Sequence, residues 1–289
     1  VRSRLVLSLA AAAAGLAGCA TPGGGFSCPA AGGPAWHVAS SRGFEVWTDA
    51  GAEVAGKLAA DLERLQGTLA ADLERMQAAR VREVERRQVA WAADLERLPL
   101  RRGGSLGRVR VVLLSDRAQL AELTGPGVSG FITTRTDPPT IVVDAGRALK
   151  DHSVLAHELA HHLVERWLVR PPRWLDEGLA EHLETAGAPA VVPGTVGSTP
   201  SWSRGGWRPE PGFVRRLLAW DGRLDPAEPR RHSSEAWALV HFLVNEEPAR
   251  LAAYLDALEA GRPAAAAFDL VFPEWSPRHL LGAYLLEAR

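Results

Sequence analysis

Three nearly identical heptapeptides govern the first third of this 289-residue chain: Ala59-Ala60-Asp61-Leu62-Glu63-Arg64-Leu65, Ala70-Ala71-Asp72-Leu73-Glu74-Arg75-Met76 and Ala92-Ala93-Asp94-Leu95-Glu96-Arg97-Leu98. Their starts lie 11 (70 minus 59) and 22 (92 minus 70) residues apart, and Val81-Arg82-Glu83-Val84-Glu85-Arg86 fills the missing register. Eleven residues make about three α-helical turns, so such a repeat holds one apolar stripe in nearly constant orientation along a straight or slightly right-handed helix. The spacing predicts one helix over residues 52–98, with Gly67 alone among its helix formers, ended by Pro99 and Gly103-Gly104. At about 1.5 Å per residue it would be roughly 70 Å long, more than a compact domain needs to cover itself. Part of it should protrude or fold back. Tandem duplication of a single packing helix accounts for the pattern, since it inserts whole turns; a dimerising or partner-binding arm is the other reading.

The N-terminus reads as an address. Arg2 and Arg4 precede an apolar run from Leu5 to Ala17 that is too short to span a bilayer, as in a signal peptide. Its end, Leu16-Ala17-Gly18-Cys19, resembles the lipobox of bacterial lipoproteins. That resemblance implies removal of residues 1–18 and acylation of Cys19, which would tether the mature chain to a membrane. Ala20 after the cysteine implies outer-membrane sorting, facing the periplasm. Residues 19–35, rich in Gly, Pro, Ser and Ala, form a flexible tether ahead of a domain over residues 36–289. With Cys19 lipidated, Cys28 has no cysteine left to pair with, and one thiol cannot build a metal site.

Beyond the tether, Phe44-Glu45-Val46-Trp47-Thr48 alternates as a strand does, and Arg108–Leu114, Phe131–Thr134 and Thr140–Asp144 read as further strands. Ser115-Asp116 resembles a helix cap before Ala118–Leu123. A few strands and a helix ahead of a mainly helical second half indicate an α+β arrangement with a small, mostly antiparallel N-terminal sheet. The composition, 46% hydrophobic and 23% charged with net charge -1, is that of a globular domain and argues against a nucleic-acid binder.

The chemistry concentrates in Asp151-His152-Ser153-Val154-Leu155-Ala156-His157-Glu158-Leu159-Ala160-His161-His162-Leu163-Val164. Residues four apart on a helix share a face, so His157 and His161 can both reach one tetrahedral zinc ion. Glu158 stands beside the open coordination position, where a carboxylate can act as general base toward a metal-activated water. Pro171-Pro172 then forces a reversal into a second helix, Trp174-Leu175-Asp176-Glu177-Gly178-Leu179-Ala180-Glu181-His182-Leu183-Glu184. Two antiparallel helices joined by a short turn can bring a third donor onto the metal, with Glu177, Glu181 and His182 as candidates. Glu177 and Glu181 share a face, so one can bind metal while the other takes a hydrogen bond from a ligand imidazole. A three-His site of the metzincin type fails, because Val164 and Trp167 stand where Gly and His would be needed. Glu165 lies a turn too far along the first helix.

His157-Glu158-x-x-His161 followed by Trp174-Leu175-Asp176-Glu177-Gly178-Leu179-Ala180-Glu181 resembles the gluzincin superfamily of zinc metallopeptidases, and most closely its small bacterial peptidase MA-like group. The resemblance implies a zincin-like α+β fold, a zinc-site helix pair over residues 151–186, and Zn2+ held by His157, His161 and Glu177. It also implies that Glu158 is the base and Glu181 the carboxylate that orients a histidine. Fifteen residues separate His161 from Glu177, fewer than in the long-chain aminopeptidases of the superfamily, which favours an endopeptidase over an exopeptidase. The strand Thr140–Val143 is a candidate edge strand for pairing with substrate backbone, or else a buried sheet strand.

Downstream, residues 186–211 form a long Gly-, Pro- and Ser-rich loop with Trp202 and Trp207. Phe213–Trp220 and His232–Leu243 read as helices, the second capped near Ser233 or Ser234, and Tyr254–Leu258 and Phe268–Leu286 complete the helical half. Gluzincins commonly use a downstream Tyr or His to stabilise the oxyanion; this chain lacks the Tyr usual in the peptidase MA-like group, and His232 is the nearest substitute. His241, within an apolar run, reads as a packed residue. The expectation is a lipid-anchored envelope zinc metallopeptidase acting on peptide or protein substrates. Its rival is a non-catalytic envelope lipoprotein that binds a partner, or itself, through the repeat helix, with zinc serving only structure.

Overall fold

A computed structural model describes residues 35–86, 107–125, 127–168, 171–184, 213–220 and 231–273. The signal segment, Cys19, Cys28, the tether to residue 34, the repeat beyond Arg86, the loop of residues 186–211 and the segment from residue 274 lie outside the described residues. The fold is α+β: a small mixed five-stranded sheet and a mostly helical remainder. The described residues divide into two compact units, 35–67 with 107–159 and 68–86 with 160–273.

The first unit holds β1 (His37–Ser40), β2 (Phe44–Thr48), the start of α1 (Ala52–Arg86), β3 (Val109–Leu114), α2 (Arg117–Thr124), β4 (Gly130–Thr133), β5 (Thr140–Asp144), α3 (Ala145–Asp151) and the first turns of α4 (Ser153–Trp167). The strand order is β1-β2-β3-β5-β4. The outer pairs β1–β2 and β4–β5 are antiparallel, and the central pairs β2–β3 and β3–β5 are parallel. The expected mostly antiparallel sheet is therefore corrected to a mixed one. Parallel neighbours need a long crossover, and α1 supplies it between β2 and β3, as α2 and β4 do between β3 and β5.

Direct register partners share a sheet face. Phe44, Val46, Val109, Val111, Leu113, Ile141 and Val143 thus line one side and are fully buried. On the other side Val142 and Leu114 pack with Leu120 of α2, whose N-terminus is capped by the Asp116 side chain accepting from the Ala118 N–H. Central strands covered on both faces are what parallel pairing requires. It follows that β5 is an interior strand between β3 and β4, which removes Thr140–Val143 as a substrate-pairing edge. The edge beside it is β4. Gly130 of β4 runs so close to its neighbours that an added Cβ would lie 2.7 Å from Val143 and 2.9 Å from Val154 in the first turn of α4.

Glu63 of the first heptapeptide ties α1 to the β1–β2 turn, accepting from the Ser41 hydroxyl at 2.7 Å and the Gly43 N–H at 2.6 Å. The Gly43 N–H is the main influence holding this carboxyl below its usual range.

The second unit contains the later turns of α4, α5 (Arg173–Glu184), α6 (Phe213–Leu218), α7 (Arg231–Asn245), α8 (Pro248–Glu259) and α9 (Ala264–Val271). Its core gathers Trp174, Leu175 and Leu179 of α5 with Phe213 and Leu217 of α6, Ala236, Leu239, Val240 and Leu243 of α7, and Tyr254 and Phe268 from the last two helices. The described part of α7 is already helical at Arg231, so Ser233 and Ser234 lie within the helix, and Ser234 is buried. β1 and α3 are additions to the sequence reading. No described helix is long and apolar enough to cross a membrane.

Candidate metal centre

α4 is an uninterrupted helix that buries Leu155, Leu159 and Leu163, a spacing of four that fixes its rotation against the protein. His157 and His161 therefore fall on one face, with Glu158 and His161 each only 8% exposed. Just ahead of the helix, His152 adopts a left-handed conformation (φ 59°) that separates α3 from α4, and its Nε2 lies 3.5 Å from Asp61.

α5 begins where the proline pair ends. Prolines suit a helix start because the first turn has no use for their missing N–H, and the Pro172 carbonyl accepts from the N–H groups of Leu175 and Asp176. This places Asp176 in the first turn, where a carboxylate is favoured by the helix dipole, and Glu177 next to it, 7% exposed.

The geometry around His161 is directional. Its Nδ1 lies 2.9 Å from Asp176 Oδ1, and its Nε2 lies 3.8 Å from Glu177 Oε1. A carboxylate can only accept, so Nδ1 donates to Asp176 in the neutral ring, which leaves the Nε2 lone pair facing Glu177. His157, His161 and Glu177 each offer one ligand atom within 4.8 Å of the others, and His157, Glu181 and Glu184 form a second such group. Two atoms bound to tetrahedral zinc at about 2.0–2.1 Å stand roughly 3.3 Å apart, so the 3.8 Å separation and the two-nitrogen, one-carboxylate donor set fit that ion.

The remaining expected residues separate by helix face. Glu181, 7% exposed, belongs with His157 rather than beside His161, where Asp176 stands. His182 turns toward α7, its ring in edge contact with His241 at 5.5 Å, and His241 in turn meets Trp237 at 4.9 Å. Burial, assisted by the neighbouring His241, pushes the His182 imidazole down to about 3, which keeps it neutral. That face of α5 is set by Gly178: a Cβ there would lie 2.6 Å from the Ala236 carbonyl oxygen and 2.6 Å from Val240, so only glycine lets the two helices approach this closely. Glu165 is exposed on α4 and enters neither ligand group.

His232, near the start of α7, stacks on Trp220 with ring centroids 4.9 Å apart and planes 13° from parallel. The guanidinium of Arg173 lies over the same indole, 5.9 Å from its centroid. Arg173 also pairs with Glu177 Oε1 through Nη2 and with Asp176 Oδ2 through Nη1 at 3.3 Å. Asp176, Arg173 and Trp220 are thus the members of this centre that the sequence reading omitted. Asp176 had a signal, as a carboxylate preceding Glu177 in the first turn; Arg173 and Trp220 had none. No family model matches the chain, and no match is found among curated proteins.

Proposed function

We propose that this chain is a zinc-dependent metallopeptidase of gluzincin type, with a zincin-like fold, anchored to the bacterial envelope through lipid on Cys19. The observation that carries the reading is His161 held by Asp176 through one ring nitrogen while the other faces Glu177. A surface ion pair needs no such orientation, whereas a metal-bound imidazole normally has its second nitrogen held by a carboxylate.

His157, His161 and Glu177 would hold the ion. When bound, zinc would supply a Lewis acid and lower the pKa of a water. Glu158, one residue beyond the first histidine and largely shielded from solvent, accepts the proton of the attacking water and returns it to the departing amine. Glu181 orients His157, and Asp176 fixes His161. His232 is assigned to the developing oxyanion. β4 is the edge on which an extended substrate would add as a further strand, adjoining the first turn of the motif helix. Peptide or protein is the substrate class.

Metal analysis and peptide hydrolysis on wild type beside Glu158→Gln test this reading together. Near-stoichiometric zinc in both and hydrolysis only in wild type is the expected result. Less than about half an equivalent of zinc after metal-replete expression would reject the ligand set, and undiminished hydrolysis in Glu158→Gln would reject the base.

A further inference from the structure

The oxygen of Glu177 that faces His161 Nε2 at 3.8 Å is the same oxygen that Arg173 Nη2 engages. The other branch of the guanidinium reaches Asp176, so one cation spans both carboxylates at the start of α5. Glu177 is nearly buried, with a side chain 9% exposed, whereas Arg173 is 44% exposed and lies over the Trp220 ring, which supports its extended chain at the protein surface. Two neighbouring carboxylates removed from water cost stability unless positive charge is near. A planar, forked guanidinium meets that need better than an ammonium would.

From this geometry, and resting on the zinc reading above, we infer that Arg173 is the counter-cation of the metal-free site and competes with zinc for Glu177. The same charge that stabilises Asp176 and Glu177 without metal opposes a divalent cation at the shared oxygen. Zinc binding must draw that oxygen away from the guanidinium, which can keep its contact with Asp176 and its seat on Trp220. Arg173 therefore weakens the affinity for zinc and protects the empty fold. A chain with this device can exist folded in both states, with occupancy set by the zinc supply. Arg173 is a positioning residue, since it acts through Glu177 and not on a substrate.

The test is a zinc titration of the chelator-stripped chain against a chromophoric competitor, together with thermal melting of the metal-free protein. Wild type is compared with Arg173→Met, which keeps the stem and removes the charge, and with Arg173→Lys, which keeps the charge and cannot span both carboxylates. Arg173→Met is expected to bind zinc at least about tenfold more tightly and to melt lower without metal. Arg173→Lys should lie between in affinity and supplies the comparison in a milder background if Arg173→Met does not fold when stripped. Equal or weaker zinc affinity in the folded variants overturns the inference and leaves the zinc reading standing, as does an unchanged metal-free melting point. Absence of zinc uptake in all three proteins removes both.

Discussion

On the proposed metal reading, Asp176 accepts from His161 Nδ1 and leaves Nε2 for the ion. Without its carboxylate at 2.9 Å the ring can exchange tautomers and rotate, and a ligand that must first be oriented binds less tightly. Asp176→Ala should lower zinc affinity about 10–100-fold with the fold retained, while Asp176→Asn, whose side-chain oxygen still accepts from Nδ1, should lose less. Competition titration measures both, and equal affinities across the series would show that His161 is oriented by something else. The histidines and Glu158 were legible in the sequence because helical spacing alone places them. The carboxylate beside His161 was not. Asp176, Glu177 and Glu181 are chemically alike on one helix, and which of them meets His161, fifteen residues away in the chain, depends on how two helices cross. The same ambiguity made His182 a candidate ligand, although its ring faces α7.

At the level of elements, α5 is held between two demands: Glu177 on one side and contact with α7 on the other. Gly178 serves the second, and its neighbour Glu177 inherits the position that results. Gly178→Ala puts a methyl group against the Ala236 backbone, which cannot swing away as a side-chain tip would, so the helices must separate. A loss of about 1–3 kcal/mol is expected by chemical denaturation, with weaker zinc binding alongside it. A stability equal to wild type would mean that the helices part without cost. The glycine is plain in the sequence, yet its reason is tertiary. The heptapeptides carry a related lesson: Glu63 anchors α1 through Ser41 and Gly43, while Glu74, which holds the same place in the second copy, is exposed. Helical periodicity announced the element and Thr140–Asp144 emerged with the expected bounds, but β1, four residues long, and α3, seven residues started by the Asp144 cap, are too short for any period to register.

For the molecule as a whole, the α+β class followed from strands preceding helices, whereas the parallel centre of the sheet did not, because strand order is fixed by crossovers rather than by strand sequence. The global property open to measurement is response to acid. His182 is neutral in the folded state, with its imidazole lowered from 6.5 to about 3 by burial first and by His241 second. Unfolded, the same ring takes a proton below about pH 6.5. Between these values the unfolded state binds the extra proton, so stability is fully retained above pH 6.5 and falls as the pH drops toward 3, by up to about 1.4 kcal/mol per pH unit. At pH 5 the loss from this residue is about 2 kcal/mol. Carboxylates add their own acid dependence, so the informative quantity is the difference between metal-free wild type and His182→Leu in denaturant unfolding at pH 7.5, 6 and 5. The leucine variant should lose less stability across that range, by about 2 kcal/mol at the acid end. Parallel pH curves for the two proteins would show that His182 takes up its proton while the protein is folded, and that the seam between α5 and α7 admits the charge.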